Sequence, residues 1–211
     1  MLSQLDHIVI GHSNLELAMQ EFADLTGCQP AYGGAHQGKG THNALAAIGD
    51  GLYIELISPD PSQPNKGVLS QRLASYRQSQ LLAWAVRSSD LEGISGEHCG
   101  FATSEPFDMS REQPGSDPLH WRLLNLVNHE LAGFAPFYID WLACPHPATT
   151  NPVAGQLLAL ELTHPSSNLG SLAAQVGAVE FAFGPPNFVV KLATPKGDIQ
   201  FRSTALDGFW S

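Results

Sequence analysis

The sequence predicts an α+β fold assembled from repeated β-α-β-β-β units, and two observations predict it. The segment Tyr53-Ile54-Glu55-Leu56-Ile57, closed by Pro59-Asp60-Pro61, returns as Tyr138-Ile139-Asp140-Trp141-Leu142, closed by Pro145-His146-Pro147. Each copy reads as a strand that carries one carboxylate and is stopped by prolines, which cannot continue a ladder. In addition, an apolar strand-like run, a capped segment and further strands follow one another three times along the chain. Such repetition decides a fold, and duplicated units can place equivalent carboxylates around one shared pocket.

The first unit occupies residues 1–62. Residues 5–10 form the opening strand, and Ser13-Asn14 offers an N-cap, with Glu16 in the first turn of an amphipathic helix that runs to Leu25 and ends at Gly27. A glycine-rich stretch follows to Gly40. Residues 41–48 and 52–57 then read as strands joined by the Gly49-Asp50-Gly51 turn. A proline-rich connector over 59–67 leads to helical spacing of Leu69, Leu73 and Tyr76, which gives a connecting helix within residues 63–80.

The second unit spans 81–148. It opens with Leu81-Leu82-Ala83-Trp84-Ala85-Val86, has a cap at Ser88-Ser89-Asp90 and a poorly periodic segment to Gly100, and continues in strands at 101–109, 120–126 and 134–142. Gly115-Ser116-Asp117-Pro118 and residues 129–133 connect them. The third, degenerate unit covers 155–203, with an opening strand at 157–162, a Ser166-Ser167-Asn168 cap, a helix to Val176, and strands at 179–183, 188–193 and 198–202 around a Pro195-Lys196-Gly197 hairpin. It either packs across the first two units or pairs with a second copy of the chain, which would make a homodimer.

Ten basic against twenty acidic residues give a net charge of −10, which argues against nucleic acid or an anionic membrane surface and favours a small-molecule partner. Cys28, Cys99 and Cys144 form no Cys-x-x-Cys pair, so neither a disulfide framework nor a zinc knuckle is indicated. The start, Met1-Leu2-Ser3-Gln4-Leu5-Asp6, lacks a basic n-region and an apolar h-region, and no apolar run reaches the ~18 residues of a membrane span. A cytoplasmic, reduced protein is expected.

The opening strand Leu5-Asp6-His7-Ile8-Val9, the segment from Gly34 to Asn43, Tyr53-Ile54-Glu55-Leu56, Trp84, His120-Trp121-Arg122 and Phe137-Tyr138-Ile139-Asp140-Trp141 occur in an order that resembles the glyoxalase-like domain family. That family belongs to the vicinal oxygen chelate superfamily, with glyoxalase I, extradiol dioxygenases and fosfomycin-resistance proteins. The resemblance implies that two units pair so that curved mixed sheets enclose a cleft. It also implies that a divalent metal is held by side chains on the first and last strands of each unit. Matched residue by residue, these positions are His7 and Glu55 in the first unit, and Trp84 and Asp140 in the second. Tryptophan offers no ligand atom, so His7, Glu55 and Asp140 remain, with His36, His42 or His120 as a source of a second imidazole. Imidazole and carboxylate suit zinc, nickel, iron or manganese alike. The third unit has Ala159 and Gln200 at the matched places and is expected to hold no metal.

Other residues extend this expected site. Glu55 lies in an apolar strand, where a buried carboxylate needs a cation or donors; Glu55 or His36 is the expected catalytic base. His42 and Asn43 are expected substrate contacts. His120 and Arg122 share one strand face, and Arg122 either anchors a substrate carboxylate or pairs with Asp140. Trp84 is either an apolar substrate wall or core. Gly33 through Gly38-Lys39 approaches a phosphate loop, but Gly40 stands where Ser or Thr is required and a strand follows instead of a helix. His129-Glu130 lacks the second histidine of a zinc helix. The expected function is a metal-dependent lyase, isomerase or dioxygenase acting on a small oxygen-rich substrate; the alternative is a binding protein that uses the same cleft without metal.

Overall fold

The computed structural model describes residues 3–64, 67–113 and 116–207. The expectations made for Met1-Leu2, for part of the 59–67 connector and for Gly115 lie outside these residues. The first unit comprises β1 (Gln4–Gly11), α1 (Leu15–Thr26), β2 (Ala31–His36), β3 (Thr41–Ala47) and β4 (Tyr53–Pro59), and α2 (Val68–Leu73) follows it. The next elements are β5 (Gln80–Arg87), α3 (Leu91–Ile94), β6 (Glu97–His98), β7 (Phe101–Thr103), β8 (Phe107–Gln113), β9 (Ser116–Val127) and β10 (Phe137–Asp140). The chain continues through β11 (Gln156–Thr163), α4 (Ser167–Ala173), β12 (Val179–Ala182), β13 (Asn187–Thr194) and β14 (Gly197–Ser203). The mixed α+β class and the curved mixed sheets are as expected.

Local chemistry accounts for the boundaries. Asn14 caps α1 by accepting from Leu17 N at 2.8 Å, and Gly27 ends it in the left-handed region at φ 80°. The glycine-rich stretch before Gly40 turns out to be mostly the edge strand β2, bulged between Tyr32 and Gly34. Two expected strands are shorter or divided. Pro106 separates β7 from β8, and Pro136 precedes β10, which starts three residues later than expected because Phe134 ends a 3-10 turn over Ala132–Phe134. Within the poorly periodic segment Asp90 caps only the single turn α3, and a short hairpin of β6 and β7 follows it.

Ten strands form one sheet in the order β2-β3-β4-β1-β5-β10-β9-β7-β6, with β8 also paired to β9. β1 runs parallel to β4, and β5 runs parallel to β10, so the two units repeat the same pairing about the antiparallel β1–β5 seam. The sheet curls until Gly33 and Gly34 of β2 lie against Arg111 and Glu112 of β8. The inner face carries Val9, Leu45, Ile57, Ala83, Ala85, Leu123, Phe137 and Ile139. Ile8, Ile10, Trp84, Val86 and Tyr138 stand on the outer face with residues of α1, α4, β11 and β13. The third unit therefore packs on the outside of the curled sheet, and its four strands follow the order β12-β11-β13-β14. None of the described helices is long and apolar enough to cross a membrane.

Candidate functional site

The inner face of the curled sheet bounds a cleft of about 420 Å³. Trp121, Trp141, Phe137, Leu123, Ile57 and Ile139 give it apolar walls, while His7, His36, Asn43, Glu55 and Arg111 bring polar atoms into it. An apolar cavity with a few convergent polar groups is the usual form of a small-molecule site.

His7 projects from β1 and stacks on Tyr53 of β4, with ring centroids 4.5 Å apart. A bulge between Leu5 and His7 lets Asp6 reach the same region, where its fully buried carboxylate meets His7 Nδ1 at 2.6 Å. Asp6 also accepts from Arg87 Nε at 2.8 Å, from His146 Nε2 at 3.0 Å and from Trp141 Nε1 at 3.1 Å. Burial pushes the Asp6 carboxyl up, but the hydrogen bonds and positive charge of His146 and His7 outweigh it and hold the group well below the usual carboxylate range. An ionised Asp6 can only accept, so His7 Nδ1 carries a proton and His7 Nε2 is turned to the cleft.

There His7 Nε2 lies 3.6 Å from Glu55 Oε2. The other oxygen, Oε1, accepts from Asn43 Nδ2 at 2.6 Å, and His36 Nε2 stands 3.8 Å from it. Arg111 Nη1 donates to Asn43 Oδ1 at 3.0 Å, which fixes the orientation of the amide and leaves Asn43 Nδ2 to face both Glu55 and His36 Nε2, the latter at 3.2 Å. His36 Nε2 then accepts, and His36 Nδ1 donates to Thr41 Oγ1 at 3.0 Å. Burial pushes the His36 imidazole down to about 4, consistent with a neutral ring. Glu55 Oε2 and His7 Nε2 remain the two polar atoms facing each other without a tight partner, a carboxylate placed as a base and an imidazole that acts as an acid when Nε2 is protonated as well as Nδ1.

The structure brings His7, His36, Asn43 and Glu55 together, and separates them from the other residues singled out in the sequence. Trp84 is fully buried on the outer face, where its Nε1 donates to Phe134 O at 2.8 Å. His42 also turns away from the cleft, towards Tyr32. His120 is exposed, and Arg122 pairs with Glu92 and lies 3.7 Å from Asp108. Asp140 accepts from Leu142 N at 2.9 Å and belongs to the opposite face from its neighbours Ile139 and Trp141.

A one-residue slip in register explains two of these placements, Trp84 and Asp140. Tyr53 pairs with His7 in the first unit, and the corresponding parallel pair in the second is Phe137 with Ala85. The structural counterparts of His7 and Glu55 are therefore Ala85 and Ile139, each one residue from the positions matched by sequence, and a one-residue slip puts every side chain on the other face. Asp6, Arg87, His146 and Arg111 were missed as site residues. Arg111 shares its strand face with Phe107 and Met109, an alternation hidden by ending that strand at Met109.

The residues do not make up the metal centre that the family resemblance implies. Its second-unit donors are an alanine and an isoleucine, the His36 lone pair is taken by Asn43, and Asn43 also holds one oxygen of Glu55. Among the described residues no three His, Cys, Asp or Glu side chains are grouped to hold a metal ion.

Comparison with known proteins returns one family model, described as a glyoxalase-like domain, which matches residues 5–178. No curated protein matches the chain. Among solved structures, a hypothetical protein from Staphylococcus aureus is similar with a TM-score of 0.62 at 16% identity, over 99% of this chain and 87% of that one. A methylmalonyl-CoA epimerase from Mycobacterium tuberculosis gives a TM-score of 0.45 at 20% identity, over 70% of this chain and 92% of its own. At these identities the likeness concerns the fold.

Proposed function

We propose, from the premise that this chain belongs to the glyoxalase-like domain family, that its cleft is the active site of an enzyme moving a proton on a small carbonyl compound with an apolar body. The observation that carries this is the opposed pair of Glu55 Oε2 and His7 Nε2, 3.6 Å apart at the polar end of an otherwise apolar cavity. Glu55 takes a proton from a carbon next to a carbonyl, and His7 stabilises or protonates the oxygen on which charge develops. Asp6 accepts from His7 Nδ1 and stabilises the imidazolium, whose Nε2–H is the group offered to that oxygen, and the Asn43 amide fixes the Glu55 carboxylate. Trp121, Trp141 and Phe137 receive the apolar body and keep water from the reacting atoms. No step passes through a metal ion, for which the donor set is incomplete.

The test is deuterium uptake from D₂O into 1-phenylpropane-1,2-dione, an uncharged compound with vicinal oxygens, followed by NMR. Native protein is expected to accelerate exchange at the carbon beside the carbonyl, and Glu55→Gln to lose at least about 100-fold of that acceleration while still binding the dione. Exchange that survives Glu55→Gln, or native protein that binds the dione without exchanging it, overturns the assignment; the second outcome supports a binding protein instead.

A further inference from the structure

On the reading that the cleft is a substrate site, we propose that Arg111 seats an anionic oxygen group of the ligand, so that the natural substrates are small carboxylates with an apolar, preferably aromatic, body. Arg111 reaches the cleft from β8 and is 4% exposed. A buried guanidinium ordinarily has a carboxylate against it, because removing an ion from water without compensation is costly. Among the described residues Arg111 makes no ion pair within contact distance: its Nη1 bonds to the neutral Asn43 Oδ1, and its buried Nε has no partner. Glu55 is reached only through the Asn43 amide. The guanidinium fork, planar and permanently charged, matches the two oxygens of a carboxylate.

The surrounding chain is shaped to admit this group. A Cβ at Gly33 would come within 2.5 Å of Arg111 Nη1, while one at Gly34 would run into the Glu112 carbonyl oxygen first and lie 3.0 Å from Arg111 Cγ. Gly33 thus clears a bay for the side chain arriving from the other unit, and Gly34 lets the β8 backbone approach closely enough to deliver it. The charge balance agrees. The cleft is lined by two cations, Lys39 and Arg111, and one carboxylate, Glu55, although the whole chain carries −10. Arg122, the guanidinium that the sequence suggests as an anchor, is already paired with Glu92 on the outer face.

Position gives the proposal its chemical content. Arg111 and Glu55 bond to opposite ends of one amide, Arg111 to Asn43 Oδ1 at 3.0 Å and Glu55 to Asn43 Nδ2 at 2.6 Å. A carboxylate seated on Arg111 therefore lies about one amide group from the proposed base. The carbon acid handled by Glu55 is then close to the carboxylate, as in a 2-oxo acid, with its apolar part directed to Trp121 and Trp141.

The experiment compares binding of phenylpyruvate with that of its uncharged amide, by calorimetry on the full chain carrying Glu55→Gln so that no turnover interferes. The carboxylate is expected to bind at least about tenfold more tightly than the amide. Adding Arg111→Met should abolish that preference, Arg111→Lys should retain part of it, and Arg122→Met should leave it intact. Near-ultraviolet circular dichroism verifies folding, and if Arg111→Met does not fold, a reduced preference in Arg111→Lys decides the matter. Equal affinities, no binding of either compound at about 10 mM, or a preference that survives loss of the guanidinium overturns the proposal. Carboxylate preference without dione exchange removes only the assignment of Glu55 as base, and dione exchange without carboxylate preference removes only the role of Arg111.

Discussion

Arg111 orients Asn43 across the two units of the fold, donating Nη1 to Asn43 Oδ1 at 3.0 Å and so committing Asn43 Nδ2 to Glu55 and His36. The amide is buried. Asn43→Leu keeps much of the volume but leaves Arg111, His36 and Glu55 without their shared partner. The expected cost is at least about 3 kcal/mol, since each of the three buried polar groups left unpaired costs about 1–3 kcal/mol. Urea unfolding measures it, and a change below about 0.5 kcal/mol would mean that the amide does not order the site.

His36 makes stability depend on pH in a defined window. Its folded value is about 4 against an ordinary 6.5, so between these values the unfolded chain binds the extra proton. Unfolding free energy therefore rises with pH across that window and is lost as pH falls from 6.5 towards 4, by up to about 3 kcal/mol. His36→Gln, which can still accept from Asn43, should show a flatter profile there. Parallel profiles for the two proteins from pH 7 to 4 would contradict a neutral buried imidazole.

Asp6 supports the site from behind, with His7, Arg87, His146 and Trp141 all directed at one buried carboxylate. Asp6→Asn substitutes a neutral amide, whose NH₂ can only donate, among these donors and removes the counter-charge of Arg87. Breaking a buried charge network costs about 3–5 kcal/mol, and the melting midpoint should fall by roughly 10 °C. Deuterium exchange should fall with it even well below the new midpoint, because His7 loses the carboxylate that stabilises its imidazolium. A destabilised protein with undiminished exchange would leave Asp6 a purely structural role.

Gly33 gives a steric test of the Arg111 bay. Alanine there places a methyl 2.3 Å from Asn43 Oδ1 and 2.5 Å from Arg111 Nη1, closer than real Cβ contacts allow. Gly33→Ala should separate Arg111 from Asn43 and reduce the preference for phenylpyruvate over its amide, at a stability cost of about 1–3 kcal/mol typical of overpacking. Gly38→Ala adds no close contact, so it controls for the loss of glycine, although its φ of 72° makes alanine strained there. An unchanged preference in Gly33→Ala would show that the bay tolerates the methyl.

The first half of the site was legible in the sequence because local signals fix it. A cap at Asn14, a tight turn at 49–51 and an alternating strand that places Tyr53, Glu55 and Ile57 inward all lie close together in the chain. The second half depends on long-range strand register, which adjacent residues do not encode. Tyr138-Ile139-Asp140 reads like Tyr53-Ile54-Glu55, yet Phe137 is the residue paired as Tyr53 is. Nothing local to Asp6 or Arg111 reveals their partners, which lie up to 140 positions away in the case of Asp6 and His146.

The same register can be tested by rebuilding what the second unit lacks. If Ala85 and Ile139 are the counterparts of His7 and Glu55, then Ala85→His with Ile139→Glu places two more donors on the inner face, opposite the existing pair. Four imidazole and carboxylate donors are sufficient for zinc, and the double variant should retain about one zinc per chain after gel filtration, whereas native protein should retain far less. Trp84→His with Asp140→Glu is the decisive comparison. It installs the same donors at the positions suggested by sequence, but on the outer face, and should gain no zinc while losing stability from the vacated Trp84 site, which is fully buried. Both inserted side chains of the first variant crowd the apolar wall, so a loss of about 1–3 kcal/mol is expected from overpacking, partly recovered on zinc addition because metal binding favours the folded state. Zinc bound by the Trp84 and Asp140 variant instead, or already bound by native protein at one per chain, would show that the cleft faces of β5 and β10 are assigned the wrong way round or that the native donors suffice.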